Sequence, residues 1–133
     1  MLRAVADTHT VIWYLFADPR LSAAARTAID QAAAAGDQIA LSAITLAEIV
    51  YLAEKGRIAP VTLDRLVAAI DGDGALLVDI PFDRRVALAL RQVDRRDVPD
   101  LPDRIIAATA LRLGLPLITR DRQIQLSAIQ TIW

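Results

Sequence analysis

The 133-residue chain contains no cysteine, a single histidine and only two glutamates. The absence of cysteine excludes disulfide bonds, zinc sites built on thiolates and cysteine nucleophiles. No apolar run reaches the length of a membrane span, because charged residues such as Asp30, Asp37, Glu48 and Glu54 interrupt the longest stretches. No basic region precedes an apolar core near Met1, so no signal peptide is apparent. We therefore expect a soluble, cytoplasmic protein that makes no contact with membranes.

The positive and negative charges nearly cancel, with a formal net charge of −1, but the charged residues are of few kinds. Fourteen of the fifteen basic residues are arginine and fourteen of the sixteen acidic residues are aspartate. Arginine is the better bidentate partner for phosphate, which favours a phosphate-bearing ligand. A GC-rich genome gives the same bias, so composition alone does not identify a partner.

Apolar segments of strand length alternate with helical segments along the whole chain. Strands are predicted at residues 2–6, 38–42, 75–80, 115–119 and 130–133. Helices are predicted at residues 8–16, 22–36, 44–55, 60–71, 82–93 and 103–113, with a short one after residue 121 and an ordered loop at 94–102. The apolar strands lack strict alternation, which is typical of a parallel sheet covered on both faces. The pattern predicts one domain, residues 1–133, with an α/β sandwich fold that buries about two thirds of its unfolded surface.

Four acidic residues are expected at one edge of this sheet. Asp7 follows the first strand directly, Glu48 lies about one turn into the helix after the second strand, Asp103 opens the helix before the fourth strand, and Asp121 follows that strand. Ligands of open α/β sheets bind beyond the carboxyl ends of the strands. The four carboxylates are therefore candidates for one functional site.

Each of these acids also has a structural explanation. Asp100 and Asp103 form a capping-box pattern at the start of a helix that Gly114 ends, and Asp7 and Asp121 are each placed to cap the helix that follows. Glu48 lies on an apolar stripe with its i−4 and i+4 neighbours, where a carboxylate is costly unless it is paired or bound to a metal. Capping explains single acids better than it explains four at one edge.

Clustered carboxylates repel one another and any phosphate unless a cation lies among them. Mg²⁺ and Mn²⁺ take oxygen ligands and keep several waters, and two such ions about 4 Å apart can activate water and stabilise the leaving oxygen of a phosphodiester. The residues thus predict a metal-dependent phosphoryl-transfer or nuclease site. Asp7 is the expected central ligand, Glu48 and Asp103 complete the first ion's sphere, and Asp121 binds a second ion or a water.

Other polar residues near the same edge are candidates for supporting the ligands or touching substrate. They are Thr8, His9, Ser42, Thr45, Asp100, Thr119, Arg104, Arg120 and Arg122. Ordinary capping, a structural histidine and ion pairing with aspartate are the alternatives for them. The chain has no glycine-rich phosphate loop before a helix and no nucleophile elbow.

Several motifs together resemble the PIN domain family. They are Asp7-Thr8-His9 after the first strand, the segment around Glu48, Asp100-x-x-Asp103-Arg104, and Thr119-Arg120-Asp121. The small size and the Leu21-Ser22 helix start are similar more narrowly to VapC-type toxins of type II toxin–antitoxin systems. One departure is the loop Val98-Pro99-Asp100-Leu101-Pro102, where many relatives have a histidine and Asp-Pro, and it leaves open whether Asp100 is a ligand or a cap.

The resemblance implies a three-layer α/β/α sandwich with a five-stranded parallel sheet. It also implies Mg²⁺- or Mn²⁺-dependent endoribonuclease activity, homodimerisation, and inhibition by a small VapB-like antitoxin, with the family's metal-binding roles falling on Asp7, Glu48, Asp103 and Asp121. Such an antitoxin would dock on the apolar surface around the first helix and the Glu48 helix. Two alternatives remain at this point: a phosphohydrolase like the haloacid dehalogenases, which needs a second aspartate where His9 stands, and a non-catalytic PIN-like binding module.

Overall fold

The computed structural model describes residues 1–133 and contains one sheet of five short strands. The strands are β1 (Leu2–Ala6), β2 (Gln38–Ser42), β3 (Leu77–Ile80), β4 (Leu117–Ile118) and β5 (Thr131–Ile132). They lie in the order β3-β2-β1-β4-β5, and every neighbouring pair is parallel. The predicted five-stranded parallel sheet is confirmed, with β1 at its centre.

Seven α-helices connect and cover these strands. They are α1 (Thr8–Leu15), α2 (Ala23–Ala34), α3 (Ala43–Glu54), α4 (Val61–Asp71), α5 (Arg84–Ala89), α6 (Leu101–Leu113) and α7 (Arg122–Gln125), and a 3₁₀ turn at Leu90–Gln92 follows α5. None of them is long and apolar enough to cross a membrane.

The sheet separates two hydrophobic cores, because successive side chains of a strand point to opposite faces. Ala4 and Ala6 of β1 pack in the core formed with α1, α2 and α4. Val5, between them, packs in the other core with α5, α6 and α7. All three residues are at most 1% exposed. This alternation along Ala4, Val5 and Ala6, which are all apolar, gives the three-layer sandwich that the resemblance implies.

Three aspartates cap helices that begin at the carboxyl edge of the sheet or close to it. Asp7 accepts a hydrogen bond from the backbone N–H of Thr10, Asp100 from that of Asp103, and Asp121 from those of Gln123 and Ile124. Asp7 stands between β1 and α1, and Asp121 between β4 and α7. The capping predictions for these residues are confirmed, and capping fixes where each carboxylate stands.

The structure differs from the sequence expectation mainly in the segment between β3 and β4. The helix predicted at 82–93 starts later, because the side chain of Asp83 caps α5 at the N–H of Val86. After Ala89 the chain changes to a 3₁₀ turn. The loop predicted at 94–102 ends earlier, since α6 begins at Leu101 and its first turn tolerates Pro102. At the other end of α6, Gly114 adopts a left-handed conformation with φ 66°, which ends the helix as predicted.

Candidate metal centre

Three carboxylates meet where the start of α6 approaches α3. Glu48, Asp100 and Asp103 each offer an oxygen atom, and these three atoms lie within 4.8 Å of one another. Glu48 comes from the second turn of α3, Asp100 is the N-cap of α6 and Asp103 lies in its first turn. Two of them are half-buried and Asp100 is exposed, so the group is open to solvent on one side.

In this group, the carboxyl group of Asp103 has a strongly raised pKa. Its pKa is raised from 3.8 to about 7, mainly because burial penalises the charged form. Repulsion by nearby carboxylates raises the pKa further, and the contributing residues are Asp100, Glu48, Asp7 and Asp121. The side chain of Asp103 has no hydrogen bond that would offset this cost, so a cation is the partner that its charged form lacks.

Glu48 is oriented by a short hydroxyl relay across the interface of α1 and α3. The Thr8 hydroxyl donates to Oε1 of Glu48 at 2.6 Å and lies 3.0 Å from the Thr45 hydroxyl. A hydroxyl has one proton to donate, so Thr45 donates to Thr8 in this arrangement. Burial raises the pKa of Glu48, and the bond from Thr8 opposes that rise. The predicted supporting role of Thr8 therefore has a direct geometric basis.

Asp7 and Asp121 lie beside the tight carboxylate group rather than within it. Together with Asp103 they line a cavity of about 610 Å³ at the carboxyl edge of the sheet. Sequence reasoning grouped Asp7, Glu48 and Asp103 around the first ion. The structure brings Asp100 close to Glu48 and Asp103 instead, because the N-cap of α6 lies one turn from Asp103. Asp103 belongs to both sets, so the other four carboxylates lie around it.

The remaining residues singled out from the sequence divide between the cavity and the scaffold. His9 is exposed, lines the cavity and has its ring 5.5 Å from that of Trp13. Thr119 is buried, and its hydroxyl accepts the N–H of Asp121 at 3.0 Å, which fixes the turn that carries this acid. Ser42 is buried and caps α3 at the N–H of Ile44.

The sequence left open whether Arg104 contacts substrate or pairs with an aspartate, and the structure gives its guanidinium other partners. Its guanidinium donates to the carbonyls of Leu90 and Val93 at 2.9 and 3.0 Å, and its Nε is buried without a partner. Because both bonds go to the turn after α5, Arg104 ties that turn to the start of α6. Its role is to hold the helix that carries Asp103.

Sequence reasoning missed Arg20, which lines the same cavity as the acids. Its guanidinium lies 5.0 Å from the centre of the Trp13 ring. Arg20 is distant in sequence from every acid of the group and follows a Pro-containing turn. No local pattern predicts that this turn would bring it to the site.

The donor atoms of the tight group suit a hard divalent cation. They are all carboxylate oxygens, the ligands that such ions prefer over nitrogen and sulfur. A divalent ion relieves the mutual repulsion that raises the pKa of Asp103, and the group is open enough to leave positions for water. Glu48, Asp100 and Asp103 therefore fit a metal of this class, with Asp7 and Asp121 within the same electrostatic environment.

Comparisons with known proteins agree with this architecture. Residues 4–129 match the family profile described as PIN domain. The chain is 34% identical over 131 residues to Ribonuclease VapC22 of Mycobacterium tuberculosis, covering 94% of this chain and 92% of that protein.

Solved structures give the same picture of the fold. The VapBC2 structure from Rickettsia felis, bound to a DNA fragment from its promoter, matches with a TM-score of 0.71 at 17% identity, over 98% of this chain and 97% of that one. A toxin–antitoxin complex from Klebsiella pneumoniae matches with a TM-score of 0.66 at 25% identity, over 98% and 96%. The profile match and the 34% identical relative set aside the haloacid dehalogenase alternative, and the chain belongs to the PIN domain family.

Proposed function

We propose that the protein is an Mg²⁺- or Mn²⁺-dependent endoribonuclease that acts as the toxin of a toxin–antitoxin pair. The observation that carries this proposal is the approach of Glu48, Asp100 and Asp103 oxygens within 4.8 Å of one another, beside a cavity that Asp7 and Asp121 also line. Membership of the PIN domain family and the relative named as a ribonuclease support the choice of RNA as substrate.

The metal is proposed to be held by Glu48 and Asp103, with Asp7 as the ligand on the cavity side and Asp121 near a second ion or a water. When bound, Mg²⁺ or Mn²⁺ supplies Lewis-acid stabilisation of the phosphodiester and lowers the pKa of an attacking water. The chain's own contribution is to hold these carboxylates in place through the caps of α1, α6 and α7 and the hydroxyl of Thr8. Asp100 serves as the cap and also offers a carboxylate oxygen to the same group.

The cleavage test uses purified protein and a panel of single-stranded RNAs. We expect cleavage with Mg²⁺ or Mn²⁺ and none with EDTA. The variants Asp7→Asn and Asp103→Asn should lose at least about a hundredfold in activity, because they remove a ligand charge. Asp64→Asn, which neutralises an exposed acid on α4, is the matched control and should cleave normally. Full activity of the Asp103→Asn protein would refute the assignment of Asp103 as a metal ligand, whereas a wild type that cleaves none of these RNAs with either metal would favour a non-catalytic binding module.

The proposed partners are a VapB-like antitoxin and a second copy of the chain. The VapBC structures are the basis for the antitoxin. A surface groove of about 360 Å³ between α3 and the start of α6 is the part of the predicted docking surface nearest the acids. It is lined by Ile44, Ala47, Glu48, Tyr51, Asp100 and Pro102. A neighbouring gene for a short protein with a DNA-binding N-terminal part, whose product inhibits cleavage, would support the toxin role. Size-exclusion chromatography with light scattering tests the homodimer.

A further inference from the structure

The cavity beside the carboxylates is also lined by basic residues. Arg20, Arg120 and Arg122 line the same cavity as Asp7, Asp103 and Asp121, so it carries side chains of both charges. Two of these arginines share one aromatic ring, since the guanidinium carbons of Arg20 and Arg120 lie 5.0 and 5.6 Å from the centre of the Trp13 ring. Residues 100 positions apart in the chain thus converge on one indole.

Trp13 is a fixed support for these two side chains. It is 5% exposed, and its ring lies 5.9 Å from that of Trp133 and 5.5 Å from that of His9. A guanidinium over an indole face is restrained there by cation–π attraction. Its N–H groups remain at the edge of the plane, where they can donate two parallel hydrogen bonds to a phosphate or carboxylate.

The three arginines differ in how far their charge is already neutralised. Arg20 makes a two-pronged bond to Asp18, with distances of 3.1 Å from Nε to Oδ1 and 2.7 Å from the terminal nitrogen to Oδ2. Arg120 and Arg122 have no ion pair within 4.0 Å and no side-chain hydrogen bond. Arg120 therefore combines a restrained position with an unpaired charge.

We propose that Arg120, held on Trp13 beside Arg20, binds a backbone phosphate of the RNA strand adjacent to the phosphate at the carboxylate group. This proposal rests on the proposed function and adds a substrate-binding residue to it. The carboxylates attract a strand only through a cation and repel the neighbouring phosphates, so a strand crossing this cavity needs positive charge beside the acids. Trp13 is too buried to stack on a base, which makes the guanidinium edge the contact.

The test measures the affinity of a fluorescent single-stranded RNA oligonucleotide in Ca²⁺ at several KCl concentrations, for wild type, Arg120→Gln and Arg120→Lys. A hard cation is present so that the carboxylates do not repel the probe. For Arg120→Gln we expect about tenfold weaker binding. The slope of log affinity against log salt should fall by about 0.7, the contribution of one phosphate contact to a single strand. Arg120→Lys should keep the slope, because it keeps the charge.

Arg112→Gln is the matched control, since Arg112 is an exposed arginine in the last turn of α6 and does not line the cavity. It should leave both affinity and slope unchanged. Equal effects of Arg120→Gln and Arg112→Gln would overturn the proposal, and so would an Arg120→Gln protein that binds RNA normally but resists inhibition by the antitoxin. A wild type that binds RNA through Arg120 but cleaves none with Mg²⁺ would leave this subsite standing and refute the ribonuclease activity.

Discussion

At the scale of single residues, Asp103 is a carboxylate whose charged form costs free energy in the folded chain. Its neighbours within the fold are other acids, and burial removes the water that would otherwise stabilise its charge. A protein tolerates such a residue when a ligand compensates for the cost, which is why strongly perturbed carboxylates in a cleft indicate function. The consequence is measurable in the metal-free protein.

We expect Asp103→Asn to stabilise the metal-free protein above pH 7 and to have little effect near pH 4. With a folded pKa of about 7 and an ordinary value of 3.8, the folded state holds a proton that the unfolded state releases, so stability falls as pH rises between these values. Asparagine has no charge to desolvate. After allowance for solvent screening, the gain at pH 8 should be about 1–2 kcal/mol.

Urea denaturation in EDTA at pH 8 and pH 4 measures this difference. Asp64→Asn, outside the site, controls for the loss of one negative charge. A loss of stability for Asp103→Asn at pH 8 would mean that the carboxylate is held by a structural contact and would weaken its assignment as a ligand.

Thr8 gives a second prediction at this scale, because it contacts Glu48, a proposed metal ligand, and not the metal itself. Thr8→Val removes the 2.6 Å donor to Glu48 while keeping the shape of the side chain. We expect about tenfold lower activity and a higher metal concentration for half-maximal cleavage, the usual result of losing the partner that orients a ligand. Thr8→Ser keeps the hydroxyl and should retain most activity. A Thr8→Val protein with wild-type metal dependence would show that the bond only serves packing.

At the scale of elements, the strands and caps that carry the acids were predictable because local signals specify them. Asp7 follows an apolar strand. Pro102 is acceptable only in the first turn of a helix, so it indicates that the helix begins just after Asp100. The distances between elements were not predictable, because they depend on how α6 packs against α3. Sequence therefore predicted the acids at one edge of the sheet but not that Asp100 would lie within 4.8 Å of Glu48 and Asp103.

The same dependence on packing between elements explains why the positions of Arg104 and Arg20 were not predicted. Arg104 follows Asp103 directly, so its sequence position allowed either a substrate contact or an ion pair with an aspartate. The helix instead turns its side chain towards the carbonyls of Leu90 and Val93. Arg20 reaches the cavity through a turn that contains Pro19. Both outcomes depend on tertiary packing, which spacing along one helix or loop does not encode.

The start of α6 allows the two roles of Asp100 to be separated. Asp100→Asn keeps a cap acceptor for the N–H of Asp103 but removes the charge, whereas Asp100→Ala removes both. We expect Asp100→Ala to lose about 1 kcal/mol of stability and Asp100→Asn to lose almost none. Both should cleave RNA several-fold more slowly, because Asp100 offers a carboxylate oxygen within 4.8 Å of those of Glu48 and Asp103, the proposed metal ligands. Wild-type cleavage by Asp100→Asn would limit Asp100 to capping.

At the scale of the whole molecule, the parallel sheet collects the site. Because all five strands run in one direction, the segments after β1 and β4 emerge at one edge, and Asp7 and Asp121 arrive there by topology alone. Helices α3 and α6, which pack on each other beside the sheet, add the other acids. We propose that residues 1–133 fold as one cooperative domain, since both cores share the strands of this sheet.

Metal binding should therefore stabilise the entire domain and not only the loops that hold the ion. A ligand that binds only the folded state raises the free energy of unfolding by about 2.7 kcal/mol at a hundred times its dissociation constant. We expect Mg²⁺ or Mn²⁺ to raise the temperature of a single unfolding transition, with EDTA reversing the shift. The gain should be larger at pH 8 than at pH 5, because Asp103, whose pKa is about 7, must be deprotonated to bind the ion.

KCl at matched ionic strength controls for screening, and Asp103→Asn should abolish most of the shift. Two separate transitions, or an equal shift with KCl, would contradict a metal centre coupled to one cooperative fold.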